Sequence, residues 1–296
     1  MTTTEPVLAI DVGGTTMKAE LIDADGTVLD SGRVPTPRGA DALEAVGALG
    51  ERLLGTAPVA GAGVVVPGLV DPRRGVAVYS ANIGWRDLPM SEPLSRRWGV
   101  PVALGHDVAS AARAEWECGA GRGHTDLAFI VIGTGIAGVL VADGTVVTGH
   151  RGEVAEIGHL DVRPGHPCPC GGDGCLERVA SASAIAAAYT ARSGTQVSGA
   201  DDVVGRLDHD AVARSVWTEA VQALADGIVA MTLVVAPEVV VVGGGLAAAG
   251  SALLDPLQRE LDARARVVAA PKILPGALGP RAGVVGAALL AREVSA

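Results

Sequence analysis

Short apolar runs that stop at glycines open both halves of this chain. Residues 7–11 form an apolar run ending in Asp11-Val-Gly-Gly-Thr15-Thr16, and residues 16–23 form a second. The turn Ala24-Asp25-Gly26 separates it from a third run at 27–33. Runs of strand length punctuated by glycine turns predict three antiparallel strands. Apolar residues at Leu43, Val46, Leu49, Leu53 and Leu54 recur at helical spacing and predict a helix over 41–54. The uninterrupted run 59–66 predicts a strand covered on both faces.

The opening pattern then returns. An apolar run over 127–132 ends in Gly133-Thr134-Gly135, a second run follows at 136–141, and the turn at 142–146 spells ADGTV, as does the turn at 24–28. Shared context gives this five-residue match its weight, because each copy lies in a strand, glycine turn, strand, turn, strand series. The pattern predicts an internal duplication, with two copies of one α/β unit facing each other across a cleft and meeting near residues 105–120. The second half continues with a loop-rich stretch over 149–175, a helix over 176–192, and a long helix over 208–235 capped by Asp208 or Asp210. A buried strand over 239–242 runs into Gly243-Gly244-Gly245, and helical stretches follow near 251–266 and 283–292.

Composition narrows the function classes. Of 296 residues, 49% are hydrophobic and 19% charged, as in a globular chain. Aromatic residues make up 2%, so the core must be built from Val, Leu, Ile and Ala. A net charge of −10 offers no basic face for nucleic acid and disfavours an anionic membrane surface. The N-terminal segment lacks the basic and apolar regions of a signal peptide, and the uncharged apolar stretch between Asp226 and Glu238 is too short to span a bilayer. A soluble, cytoplasmic protein is expected. In that reducing compartment the crowding of Cys168, Cys170 and Cys175 suggests metal more than disulfide.

Three constellations carry chemistry. Gly13-Gly14 with the hydroxyls of Thr15 and Thr16, and Gly133-Thr134-Gly135, are turns whose bare backbone can approach a phosphate. Asp11 at a strand end can hold Mg2+ through water. Neither turn matches the Gly-x4-Gly-Lys-Ser/Thr loop or opens a helix, so each alone reads as a tight hairpin, and it is their matching places in the duplicated pattern that raise the phosphate reading. Cys168-x-Cys170-x4-Cys175 with a histidine satisfies a tetrahedral Cys3His zinc site, with His159 and the nearer His166 competing for the fourth position. Asp107 precedes a helical stretch and reads as an N-cap or as a general base. Glu156 and His159 lie three apart. Asn82 and Trp85 fall in a loop after Pro67-Gly68-Leu-Val-Asp71, where an amide and an indole suit a sugar.

Taken in order, these pieces resemble the ROK family of sugar kinases and repressors over nearly the whole chain. The match includes Asp11-Val-Gly-Gly-Thr15, Asn82-Ile-Gly-Trp85, His106-Asp107, Gly133-Thr134-Gly135 and Gly152-Glu-Val-Ala-Glu156-Ile-Gly-His159. Cys168-Pro-Cys170-Gly-Gly-Asp-Gly-Cys175-Leu-Glu177 and Gly243-Gly244-Gly245 complete it. The resemblance implies two actin-like, ribonuclease-H-like domains flanking a catalytic cleft: residues 1–117 with a C-terminal helix over 283–296, and residues 118–282 with a zinc loop at 159–175. It implies that Asp11, Gly13, Gly14, Thr15, Thr16 and the Gly133-Thr134-Gly135 turn hold ATP and Mg2+, with Gly243, Gly244 and Gly245 beside the nucleotide. It makes Asp107 the base that deprotonates a sugar 6-hydroxyl. Gly68, Asn82, His106, Glu156, His159 and Glu177 fall at sugar-binding positions, and His159, not His166, joins the three cysteines on structural zinc. One departure stands out: the family usually has Asn where this chain has His106.

The implied activity is ATP-dependent phosphorylation of a hexose, glucose first. Kinases for N-acetylmannosamine, N-acetylglucosamine, fructose and allose share the motifs. The sequence shows no strong Lys/Arg track for polyphosphate, so ATP is the expected donor. A non-catalytic, sugar-responsive regulator is the reading from another class. With the first strand near residue 7 there is no room before it for a helix-turn-helix region, which favours the kinase. Family members assemble as homodimers or homotetramers.

Overall fold

The computed structural model describes residues 5–55, 57–150 and 154–295. The chain divides into two compact units, one made of Met1–Ala114 with Pro280–Ala296 and the other of Glu115–Gly279.

In the first unit, strands β1 (Val7–Val12), β2 (Thr16–Ile22), β3 (Val28–Pro35), β4 (Gly61–Val66) and β8 (Val102–His106) form one sheet in the order β3-β2-β1-β4-β8. β1, β2 and β3 are antiparallel neighbours, because a few turn residues join each pair. β4 and β8 run parallel to β1, each reached through a helix-containing connection, Asp41–Leu54 before β4 and Ser91–Trp98 before β8. β1 shows why its sequence is apolar throughout. Leu8, Ile10 and Val12 pack into a cluster with Val46, Leu49 and Leu53 of the helix Asp41–Leu54. Val7 and Ala9 point to the other face, against Val284, Ala287 and Ala291 of the C-terminal helix Ala282–Val294. With helices on both faces, no position of the strand remains for a polar side chain except at its end, where Asp11 stands.

The second unit repeats this plan. Strands β9 (Leu127–Ile132), β10 (Ile136–Ala142), β11 (Thr145–Val146), β12 (Val239–Gly243) and β13 (Lys272–Pro275) form a sheet in the order β11-β10-β9-β12-β13. The first three are again antiparallel and the last two parallel, so the duplicated sequence pattern corresponds to a duplicated strand order. Ala128, Ile130, Ile132, Val240 and Val242 pack with Leu224 and Ile228 of the helix Ala211–Val235 and Leu253, Leu257 and Leu261 of the helix Ser251–Arg264.

One open alternative is resolved and three expectations change. Asp210, not Asp208, caps the long helix, its Oδ1 accepting from the Val212 and Ala213 amides at 2.7 and 3.2 Å. That helix, Ala211–Val235, is one element of 25 residues whose length and composition would suffice to cross a membrane, although Arg214, Glu219 and Asp226 interrupt its apolar run. Half of its most apolar window is buried among core side chains. The helix expected over 176–192 is two, Glu177–Ala180 and Ala182–Ser193, because Ser181 is extended (ψ 157°) and its hydroxyl caps the second through the Ala184 amide. Finally, the stretch taken as a loop around Asn82 and Trp85 holds a small antiparallel sheet, β5 (Leu69–Asp71), β6 (Val76–Ser80) and β7 (Trp85–Pro89). Such short strands carry too few residues for a period of two to show.

Candidate active site

Parallel strands bring their carboxyl ends to one edge, where ligands gather in open α/β sheets. In the first unit the register aligns Asp11 of β1 with Val65 of β4, and Val66 of β4 with His106 of β8. Asp11, Gly13, Gly68, His106 and Asp107 therefore share one edge, although they are far apart in sequence.

The Asp11 carboxylate sits where little water reaches it. Lys18 Nζ lies 3.9 Å away and also donates to the Pro280 carbonyl at 3.1 Å. The first turn of the C-terminal helix closes on it: a Cβ at Gly283 would come within 2.7 Å of Asp11 Cγ, so only glycine fits there. Burial pushes the Asp11 carboxyl up to about 6, against the pull of Lys18 and with an added push from the charge of Asp107. A carboxylate kept in this state has an unmet demand for positive charge, which suits a hydrated divalent cation.

The turn after β1 is a hairpin. The Gly13 amide donates to the Thr16 carbonyl at 3.1 Å, and Thr36 fastens it from the far strand, its hydroxyl donating to the Gly13 carbonyl at 2.7 Å and its amide to the Thr15 carbonyl at 3.0 Å. Thr36 has no sequence signature, since it acts through chain folding alone. Asn82 lies beside Gly14, with 3.7 Å between its Cβ and an ideal Cβ there. Gly68 (φ +97°) takes a left-handed conformation pressed against the Tyr79 carbonyl, which sets the small sheet at the end of β4.

Asp107 begins the helix Asp107–Cys118. Its Oδ1 accepts from the Val108 amide at 2.7 Å and lies 3.4 Å from His106 Nε2. No hydrogen bond to Oδ2 is seen among the described residues. Burial holds the Asp107 carboxyl above the ordinary carboxylate range, while His106 and the Val108 amide pull it down. The N-cap expectation for Asp107 is corrected: His106 caps the helix through the Ala109 amide, while Asp107 is its first residue and bonds the adjacent Val108 amide with one oxygen, the other having no hydrogen bond among the described residues.

In the second unit the corresponding edge joins β9 and β12, with Val131 opposite Gly243. The Gly133-Thr134-Gly135 turn closes with the Gly133 amide donating to the Gly135 carbonyl at 2.9 Å. Gly244 (φ +83°) presses against the Ile132 carbonyl, so the two glycine turns touch. The break at Ser181 frees the Ala182 amide to donate to the Gly133 carbonyl at 2.8 Å, and the Ser183 hydroxyl donates to the Thr134 carbonyl. Glu177 Oε2 accepts from the Ile136 amide at 2.8 Å. Its carboxylate therefore braces the glycine turn, a task its sequence position does not reveal. Thr134, Glu177 and Ser183 also border a cavity of about 500 Å³ walled by Ala184, Ala187 and Ala188.

Glu156 and His159 are both exposed on one 3-10 turn, where the His159 amide donates to the Glu156 carbonyl at 3.0 Å. Ala155 before them is held at φ +61°, an uncommon conformation for a residue with a Cβ. Gly152 and Glu153 of the same motif lie outside the described residues. His159 Nδ1 is 3.8 Å from Cys168 Sγ, Cys170 Sγ is 3.6 Å from Cys175 Sγ, and the four ligand atoms all lie within 4.8 Å of one another. His166, nearer in sequence, is not among them. Burial and the neighbouring thiols push the Cys175 thiol up to about 12, whereas the Gly172 amide and the neighbouring thiols pull the Cys170 thiol down. One histidine and three thiols converging in this way fit zinc. The loop is also tied down independently of metal, by Arg163 Nη1 on Asp226 at 2.6 Å.

Comparison with known proteins finds relatives over almost the whole chain. The ROK family profile matches residues 7–294. A glucokinase of Halalkalibacterium halodurans is 34% identical, covering 97% of this chain and 94% of its own. An N-acetylmannosamine kinase of Escherichia fergusonii is 33% identical, covering 96% and 98%. The crystal structure of a ROK family glucokinase from Streptomyces griseus in complex with glucose and AMPPNP superposes with a TM-score of 0.79 at 29% identity, covering 97% of this chain and 99% of that one. The two similar sheets are thus those of the actin-like, ribonuclease-H-like fold, and the chain belongs to the ROK family and is a sugar kinase of that family.

Proposed function

We propose that this kinase transfers the γ-phosphoryl group of ATP to the 6-hydroxyl of glucose. The observation that carries the chemistry is Asp107: a partly buried carboxylate at a helix start, with one oxygen hydrogen-bonded and the other without a hydrogen bond among the described residues. Such a group can take the hydroxyl proton as the oxygen attacks phosphorus. The transferred phosphoryl needs little covalent help, so positioning and charge neutralisation supply most of the rate. The amides of the Gly13-Gly14 turn with Thr15 and Thr16, and of the Gly133-Thr134-Gly135 turn, bind phosphate oxygens, and Gly243, Gly244 and Gly245 flank the nucleoside. Asp11 would hold hydrated Mg2+, which neutralises phosphate charge when bound. Gly68, Asn82, Glu156, His159 and Glu177 bind the sugar. His159, Cys168, Cys170 and Cys175 would hold zinc, which supplies a rigid anchor for the loop. With Nδ1 facing the cysteines, His159 Nε2 is the nitrogen left to donate to a hydroxyl.

Glucose is supported by the likeness to glucokinases; the comparable likeness to an N-acetylmannosamine kinase makes an acetamido sugar the second reading. A coupled ADP-release assay with Mg·ATP across glucose, mannose, fructose, allose, N-acetylglucosamine and N-acetylmannosamine separates them. Glucose should exceed each of the others in kcat/KM by about tenfold or more, the discrimination a few hydrogen bonds provide. A maximum with N-acetylmannosamine would replace the glucose assignment while leaving the kinase in place.

The protonation of Asp11 makes a second expectation. With its carboxyl pushed up to about 6, a proton competes with Mg2+ below that pH. The Mg2+ concentration giving half-maximal rate should therefore rise by about tenfold per pH unit below 6 and level off above 7. A Mg2+ requirement unchanged between pH 5 and 8 would remove Asp11 from the metal site.

A further inference from the structure

We infer that His106 is a positioning residue for Asp107: its imidazole is locked in one tautomer by the helix it caps, and it orients the carboxylate so that Oδ2 faces the reaction. This rests on the reading of Asp107 as the base. The lock follows from hydrogen-bond roles. His106 Nδ1 lies 3.3 Å from the Ala109 amide and accepts from it, as an N-cap side chain does. A nitrogen that accepts carries no proton, so in the neutral ring the proton resides on Nε2. Nε2 lies 3.4 Å from Asp107 Oδ1, the oxygen already bonded to the Val108 amide at 2.7 Å. The Val108 amide bonds Oδ1 and the ring nitrogen of the preceding residue stands 3.4 Å from the same oxygen, and together they bias the carboxylate's rotation. The proton-accepting lone pairs of Oδ2 are left to the substrate.

An asparagine at this position would bring a shorter side chain. Its carboxamide can cap the helix through its oxygen, but it has no ring to carry a second donor farther along towards Oδ1. The structure thus assigns to His106 a task that does not require it to touch sugar. Among the described residues, the charged groups shown to act on or feel Asp107 are His106 on β8 and Asp11 on β1, and Asp11 is itself paired with Lys18 of β2 at 3.9 Å. Asp11 and Lys18 offset one another, so the donor next to Asp107 is His106. Removing it weakens the ionised form of Asp107 and raises the pH at which the base becomes protonated.

The test compares wild type, H106A, H106N and D107N over pH 5–9 with glucose and Mg·ATP. H106A should lower kcat at pH 7 by about tenfold or more and move the acid limb of the kcat profile up by about one pH unit, with glucose KM changed less than about threefold. H106N should recover the thermal stability lost in H106A, since it restores the cap, yet keep the displaced acid limb. Independently of any variant, 15N chemical shifts of the wild-type imidazole should show Nδ1 unprotonated and Nε2 protonated at pH 7.5. A glucose KM raised about tenfold or more with the acid limb unmoved would make His106 a sugar ligand only and overturn the inference, as would the opposite tautomer. D107N separates the two levels. If it keeps wild-type turnover, the reading of Asp107 as base fails. If it is inactive while the H106A acid limb stays in place, only the role of His106 fails.

Discussion

Asp107→Asn should lower kcat by about a thousandfold or more while leaving glucose affinity within about threefold of wild type. Asparagine keeps the shape of the side chain and caps a helix as well as aspartate does, so the Val108 bond at 2.7 Å has a counterpart in the variant. What it cannot do is accept a proton. Burial also disfavours the charged form of Asp107 in the folded protein. Its neutral replacement removes that penalty, and the melting temperature should hold or rise slightly at neutral pH. A capping role alone predicts a different result, with turnover retained in Asp107→Asn and stability lost in Asp107→Ala by about 1 kcal/mol. Turnover within tenfold of wild type, with calorimetric glucose binding unchanged, would remove Asp107 from the chemistry.

The second large effect is expected at the cysteine cluster. Cys170→Ser should reduce zinc content from about one per chain to less than about a tenth, because an alcohol is a far poorer zinc ligand than a thiolate. The consequence should reach both substrates. His159 shares its 3-10 turn with Glu156, so loss of the anchor frees two proposed sugar contacts at once. Cys175 is followed by the fully buried Leu176 and then by Glu177, whose carboxylate holds the Ile136 amide at 2.8 Å behind the glycine turn. KM should therefore rise by about tenfold or more for glucose and by a smaller factor for ATP. Global unfolding is not expected. Arg163 on Asp226, the Cys168 amide on the Gly172 carbonyl at 2.9 Å and the Leu176 amide on the Leu160 carbonyl at 2.8 Å hold the loop's frame without metal. Elemental analysis showing full zinc in Cys170→Ser would disprove the ligand set. Zinc loss with ATP KM unchanged would show that Glu177 braces its turn without help from the metal.

The candidate site shows where sequence reading stops. Asp11, the two glycine turns and the three cysteines announce themselves because each depends on neighbours within a few residues. A strand must end, a hairpin must turn, and thiols close in sequence can share one ion. Asp107 was visible as a carboxylate before a helix, with two readings that spacing could not separate. Glu177 was visible only as the end of a motif. Its bond to Ile136 crosses from one element to another, and no local pattern encodes such a crossing. Thr36 and Gly283 carry no signal at all: one fastens the first glycine turn and the other makes room for Asp11, both by long-range approach.

The same division runs through the fold. Local patterning alone determined the strand runs of both halves, the hairpin turns, the helix Asp41–Leu54 and the recurrence of one strand plan, because hydrophobic period and turn chemistry are properties of adjacent residues. Spacing left the fourth position open between His159 and His166; the family resemblance pointed to His159, and three-dimensional approach is what brings His159 to Cys168. Tertiary structure alone broke the expected helix at Ser181, where the Ala182 amide bonds the Gly133 carbonyl instead of continuing the helix. It folded the segment around Trp85 into a small sheet whose strands are too short to be seen alone. It also turned His106 into a cap whose second nitrogen faces Asp107. In each of these cases the deciding partner lies on another element or is aimed by one, and the free energy of that contact outweighs the local preference that a sequence displays.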